Sequence, residues 1–267
     1  MTYLRKIRTL ILSLAVCGVF LSAASAKDVS MNFIANATVR ITDGEYILFT
    51  DFPYVSGAFE HMDYQYPFFV EQDNNVTTLI TSRMADHFDP DIFMTLGWKI
   101  IAPNEVVSGI EERYIDLNIA RDKAVADLEL NRKIDQALKP DLVITVTLPD
   151  PIIKPKVIAM KKTINHGPMK ITSIETESAQ TEHYSYILEW ADKKMYFSGD
   201  TGDVTHLSAL PEVDIAFISP WLFENARKEN ALPNAKKIVI YQHKDNEIIP
   251  NCFDCIVPVK GEYIPFD

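Results

Sequence analysis

The chain has 267 residues, with 26 basic and 37 acidic side chains, a net charge of -11 and an apolar fraction of 47%. Such acidity disfavours nucleic-acid phosphates and anionic membranes as partners, although solubility alone accounts for it. The apolar content is that of a folded domain rather than a disordered chain.

Residues 1–26, MTYLRKIRTLILSLAVCGVFLSAASA, have a basic start at Arg5, Lys6 and Arg8, an apolar run, and small residues ending in Ala24-Ser25-Ala26. This pattern predicts a secretory signal peptide cut after Ala26, with an apolar run too short to span a bilayer. Val16 precedes Cys17 where a lipidation signal wants a small residue, so lipid anchoring is the lesser expectation. Residues 27–267 are then expected to form one exported domain, periplasmic or secreted, with no membrane insertion. Losing three basic residues leaves that domain 23 basic and 37 acidic side chains. Its two cysteines, Cys252 and Cys255, predict a local disulfide in an oxidising compartment.

In chain order, MNFIANATVRITDGEYILFTDFP predicts two β-runs turned at Asp43-Gly44. An aromatic loop, YVSGAFEHMDYQYPFF, follows, then short strands VTTLI and WKIIAP. The segment NIARDKAVADLELNRKIDQALKPD has Ala120, Ala124, Leu128, Ile134 and Leu138 at helical spacing and Pro140 as a stop, so it predicts an amphipathic helix. Strands resume at DLVITVTL, PKVIAMKKTI, MKITSIET, YSYILEW and KMYFS. A short helix VTHLSAL, a strand VDIAFIS, a Pro/Trp turn and a strand KKIVIYQH complete the order. That pattern suits an α/β chain with two packed sheets flanked by helices.

Three strands each deliver an acid or a histidine at one end. Asp86-His87 follows VTTLI, Asp200 follows MYFS in SGDTGD, and His243 ends KIVIYQH. Two carboxylates and two imidazoles would suit zinc, and manganese or iron equally well on ligand type. Each feature alone is weak, because Asp-His pairs and Gly-Asp-Thr-Gly turns are common.

Jointly, LITSRMADHFDP, EHYSYILEWADKKMYFSGDTGD and IVIYQH resemble the metallo-β-lactamase superfamily, in particular its ascorbate-lactonase-like and general metal-dependent hydrolase branches. The resemblance implies the four-layer αββα sandwich of that family. It also implies a Thr-His-x-His-x-Asp-His loop, which stands here as Thr81-Ser82-Arg83-Met84-Ala85-Asp86-His87. Ser82 and Met84 occupy the first two histidine positions, and Ser178 is placed where a third histidine belongs. On that comparison one metal site is lost, keeping only the shared Asp200. The other, made of Asp86, His87, Asp200 and His243, is expected intact.

Two functions follow. One is an exported mononuclear hydrolase of reduced activity, with Asp86 as ligand or base and one divalent ion, zinc first. The other is a non-catalytic descendant that binds a small molecule or a protein in the old cleft. Four protein ligands close a tetrahedral site, whereas catalysis wants an open position. A copper-handling role built on Met84 and His87 ranks last, since methionine commonly just fills space. Arg83, His61 and Trp221 are candidate substrate contacts, each with an ordinary surface or packing explanation beside it.

Overall fold

The computed structural model describes residues 28–71, 75–139, 145, 147–176, 181–250 and 252–266. The signal segment and Ser178 lie outside these residues. The opening run makes three strands instead of two: β1 (Ser30–Ala35), β2 (Thr38–Thr42) and β3 (Tyr46–Thr50), paired as an antiparallel meander. Its second turn is the expected one, where Asp43 Oδ1 accepts from the amides of Glu45 and Tyr46 and Gly44 has φ +88°. The first turn, at Asn36-Ala37, has no glycine to announce it; Asn36 takes the left-handed conformation, which asparagine tolerates.

The first sheet continues through β4 (Asn75–Leu79), helix α1 (Pro90–Leu96), β5 (Lys99–Ala102), helix α2 (Asn104–Leu138) and β6 (Lys156–Ala159). Its strands lie in sequence order from β1 to β6 and run parallel from β3 onward. The second sheet comprises β7 (Thr163–His166), β8 (Met169–Glu175), β9 (Tyr184–Trp190), β10 (Lys193–Phe197), β11 (Val213–Ile218), β12 (Ala235–Ile240) and β13 (Cys255–Ile256). It too keeps sequence order, antiparallel from β7 to β10 and parallel from β10 to β13. Helix α3 (Pro220–Lys228) connects β11 to β12.

Alternation along the strands explains the packing. In β9, Tyr186 and Leu188 enter a core shared by both sheets, while Ile187 points to the opposite face with Leu222 and Phe223 of α3. In the first sheet Leu79 and Ile101 enter the shared core, and Ile80 and Ile100 pack with Phe93 of α1 and Val106 and Ile110 of α2. Both sheets are thus backed by helices, as an αββα arrangement requires.

Three expectations change. The SPWLFENA segment is the helix α3, not a turn; Ser219 caps it by accepting from the Leu222 amide, and Pro220 sits in its first turn. Only a 3-10 turn, Leu207–Ala209, stands where VTHLSAL suggested a helix. The helix expected from residue 118 begins at Asn104 and runs 35 residues, and its buried side chains are Val106 and Ile110, not the predicted Ala120, Ala124, Leu128, Ile134 and Leu138. The strand expected over 141–148 falls mostly outside the described residues, and Thr147 and Leu148 are not in a strand. Cys252 and Cys255 are joined as the expected disulfide.

The aromatic loop after β3 is a packing device. Phe49 stacks on Trp98 with ring centroids 5.2 Å apart, and Phe52 packs among Tyr64, Tyr66 and Phe68. Replacing fully buried Phe49 with Ala is expected to lower stability by about 3–5 kcal/mol in chemical denaturation; a loss below about 1 kcal/mol would contradict this account of the loop.

Candidate functional site

The carboxyl ends of β3, β4, β10 and β12 converge. Asp51 follows β3, Thr81 to His87 follow β4, Gly199-Asp200 follow β10, and Tyr241-Gln242-His243 follow β12. Three non-glycine residues with positive φ lie here, Asn36, Asp51 and Gln242, and such strain gathers where tertiary contacts over-determine the backbone. Gln242 donates its amide to the Asn36 carbonyl, and Asn36 Nδ2 donates to the Asp86 carbonyl, so the two sheets' loops are tied together.

Asp51 is the hub, and it is a residue that the motif analysis passed over. Its buried carboxylate accepts from the Thr81 amide at 2.7 Å and from Thr81 Oγ1, and its Oδ2 lies 3.0 Å from His87 Nδ1. The signal was available: Asp51 ends a strand, as Asp86 and Asp200 follow theirs. With Nδ1 engaged, His87 turns Nε2 toward Asp86 Oδ2 at 3.3 Å and the Gln242 side-chain amide at 3.0 Å. His87 is fully buried. Burial alone would push its pKa down, but Asp51 and Asp86 together raise it well above the usual value. Burial likewise opposes ionisation of Asp86, yet the His87 charge and hydrogen bond hold it below the ordinary carboxylate range.

Asp200 sits within electrostatic reach of the same groups: burial, then repulsion from Asp86 and Asp51, pushes its pKa up to about 6 against the attraction of His87. Its amide donates to His183 Nε2 at 2.9 Å, and His183 Nδ1 lies 2.6 Å from Thr176 Oγ1. His61 also joins the site, with Nε2 3.5 Å from Asp86 Oδ2.

His243 does not join. Its Nδ1 and Nε2 each lie 3.0 Å from a backbone carbonyl, of Lys244 and Pro258, and its ring stacks on Phe33. β12 ends at Ile240, and the positive φ of Gln242 turns the chain so that Gln242 reaches His87 and His243 turns aside. The expected four-residue set is therefore not assembled; among the described residues, no group of three or more His, Cys, Asp or Glu side chains is arranged as a ligand cluster.

The loop residues also find ordinary roles. Buried Ser82 accepts the Met84 amide through its hydroxyl, and the Met84 carbonyl accepts the amides of His87 and Phe88. Arg83 is largely exposed and lies 3.9 Å from Glu105 at the start of α2. Trp221 Nε1 donates to the Thr201 carbonyl, pinning the loop that carries Asp200.

In donor chemistry the pocket fits one metal ion. Asp86 Oδ1, Gln242 Oε1 and His61 Nδ1 are buried without hydrogen-bond partners, and buried polar atoms ordinarily have one. A histidine clamped by a carboxylate at Nδ1 and free to ligate through Nε2 is the usual form of a metal-binding imidazole. Proton and metal compete for that Nε2.

No protein-family model and no curated protein matches the sequence. Solved structures do match. Igni18, described as a novel metallo hydrolase from Ignicoccus hospitalis KIN4/I, superposes with a TM-score of 0.57 at 14% identity over 88% of this chain and 97% of its own. A "possible metal-dependent hydrolase" from Veillonella parvula DSM 2008 gives 0.55 at 15% identity over 88% and 98%. The metallo-β-lactamase fold protein YhfI from Bacillus subtilis gives 0.53 at 11% identity over 89% and 100%. The chain has the metallo-β-lactamase fold.

Two substitutions probe the site's construction. Gly199 has φ +61°, and a Cβ there would collide with His183 Nε2 and Thr81 Cβ, so Gly199→Ala is expected to destabilise by about 2–4 kcal/mol in urea unfolding. Burial lowers the His183 pKa from 6.5 to about 3. A histidine held neutral in this way contributes stability that is complete above pH 6.5 and drains away as pH falls toward 3, because the unfolded chain takes up the proton first. Across that window His183→Gln should lose a slope approaching about one proton relative to wild type; equal slopes would show that His183 does not titrate this way.

Proposed function

We propose that this is an exported metallo-hydrolase-fold protein that holds one divalent metal ion, zinc before manganese or iron, on Asp86, His87 and Asp200, and hydrolyses a small-molecule substrate slowly. The observation that carries this reading is the Asp51–His87 clamp, which leaves His87 Nε2 aimed at the Asp86 carboxylate beside buried atoms that lack partners. When bound, the ion would acidify a water molecule and polarise a carbonyl or phosphoryl oxygen.

The protein's own groups define what else the site can do. Asp51 fixes the His87 ring so that only Nε2 faces the pocket. Asp200, with its pKa near 6, can accept or return a proton close to neutral pH. His61, whose pKa is lowered by burial against the opposing charge of Asp86, is a neutral donor or acceptor facing the same carboxylate. With His243 turned away, three protein ligands remain, the pattern of a catalytic site that keeps a position open. Ser82 and Met84 leave no second ion to stabilise a developing oxyanion, which accounts for the expected low rate.

A second reading, a non-catalytic binding module, is favoured by Gln242, whose amide meets His87 Nε2 where a ligand would otherwise lie. A cleft of about 530 Å³ beside the aromatic loop, lined by Asp63, Tyr64, Tyr66 and Lys260 among others, is of a size that suits a small ligand.

Elemental analysis after zinc and manganese loading separates the two. About one equivalent is expected in the wild type, with loss in Asp86→Ala, His87→Ala and Asp200→Ala and retention in His243→Ala. A metal-free wild type would leave the binding module. Loss in His243→Ala would mean that His243 swings in as a ligand on metal binding.

A further inference from the structure

Helix α2 is about 52 Å long at 1.5 Å per residue, yet only its first turns pack on the domain, through Val106 and Ile110, with Tyr114 and Leu117 partly buried beside them. Beyond them the helix carries large aliphatic side chains in the open: Ile115 is 54% exposed, Ile119 64%, Leu130 57% and Ile134 48%. At about 100° per residue, these four fall with exposed Ala126 on one stripe, roughly opposite the face that packs on the domain. The segment returning from the helix end lies along the packed side, where the Asp150 carbonyl accepts from Arg121 and Lys154 meets Glu111 and the Tyr114 ring.

We infer that this stripe is the interface of a homodimer in which α2 pairs antiparallel with α2 of a second copy. One two-fold axis, passing between Ala124 and Val125, maps the stripe onto itself. It sets Ile115 against Ile134 and Ile119 against Leu130, and brings exposed Asp116 opposite exposed Lys133, each pair occurring twice. Side chains at this spacing interdigitate in a helix pair. Parallel pairing is disfavoured, because it would set Asp116 against Asp116 and Lys133 against Lys133. The antiparallel arrangement also keeps the two acidic domains at opposite ends of the helix pair, about 40 Å apart along it.

Sedimentation equilibrium of the purified protein tests this. A dimer is expected, with Ile119→Glu/Leu130→Glu monomeric and unchanged in its thermal unfolding. Asp116→Lys and Lys133→Asp should each weaken the dimer roughly tenfold, and combining them should restore it. Cysteine pairing fixes the register: mixing Ile119→Cys with Leu130→Cys protein should give a cross-linked dimer under oxidation, whereas either variant alone should not. A monomer at all concentrations, a dimer indifferent to these substitutions, or cross-linking of Ile119→Cys alone would overturn the proposal. A monomer that floats with anionic lipid vesicles would assign the stripe to a membrane surface instead.

Discussion

The site depends on one buried carboxylate. Asp51 stands at the end of β3 with φ +44° and gathers the Thr81 amide, the Thr81 hydroxyl and His87 Nδ1 onto its two oxygens. Asp51 and His87 are fully buried, and a buried charge pair is tolerated only when its remaining hydrogen-bonding capacity is met. Thr81 meets it. The same threonine accepts the Tyr184 amide through its carbonyl, which joins the end of β4 to the start of β9 and so one sheet to the other. The loop holding Asp86, the strand ends of both sheets and the orientation of His87 therefore share one electrostatic anchor.

That anchor separates the scaffold from the chemistry built on it. In a metallo-β-lactamase fold, loops at the strand ends are free to change while the sheets keep the pocket in place. Here the loop that would carry two further histidines is satisfied by other means: Ser82 closes a turn with its hydroxyl and Met84 supplies a carbonyl to the following amides. The other side of the pocket keeps its acids and one oriented imidazole. A single-ion centre and a proton-filled ion pair are alternative occupants of the same few atoms, because His87 Nε2 can bear a proton or a metal but not both.

Much of this was legible in the residues. The fold followed from strand runs ending in Asp or His, and β9 coincides with the YSYILEW run. Asp86 and His87 lie together as neighbours in sequence must, and Asp200 comes to them because β10 ends beside β9 and β11. His243 was misplaced, since a strand pattern through KKIVIYQH implies that every second residue shares a face, and that rule fails once Gln242 leaves the extended region. Helix α2 misled in another way. Helical spacing identifies a stripe but not whether the domain covers it, and the apolar residues of its second half face solvent.

The sequence by itself determined the class of architecture and the presence of acids and histidines at strand ends, because backbone periodicity and strand termini are local properties. Tertiary structure alone decided which of those residues meet. Asp51 and Gln242 reach His87 across 36 and 155 positions of chain, and His243 is held off by the Pro258 carbonyl and the Phe33 ring. Such partners are set by where the strands pair and by single residues of positive φ. Neither leaves a mark in local sequence, since the energy that selects them comes from burial and charge pairing between distant segments.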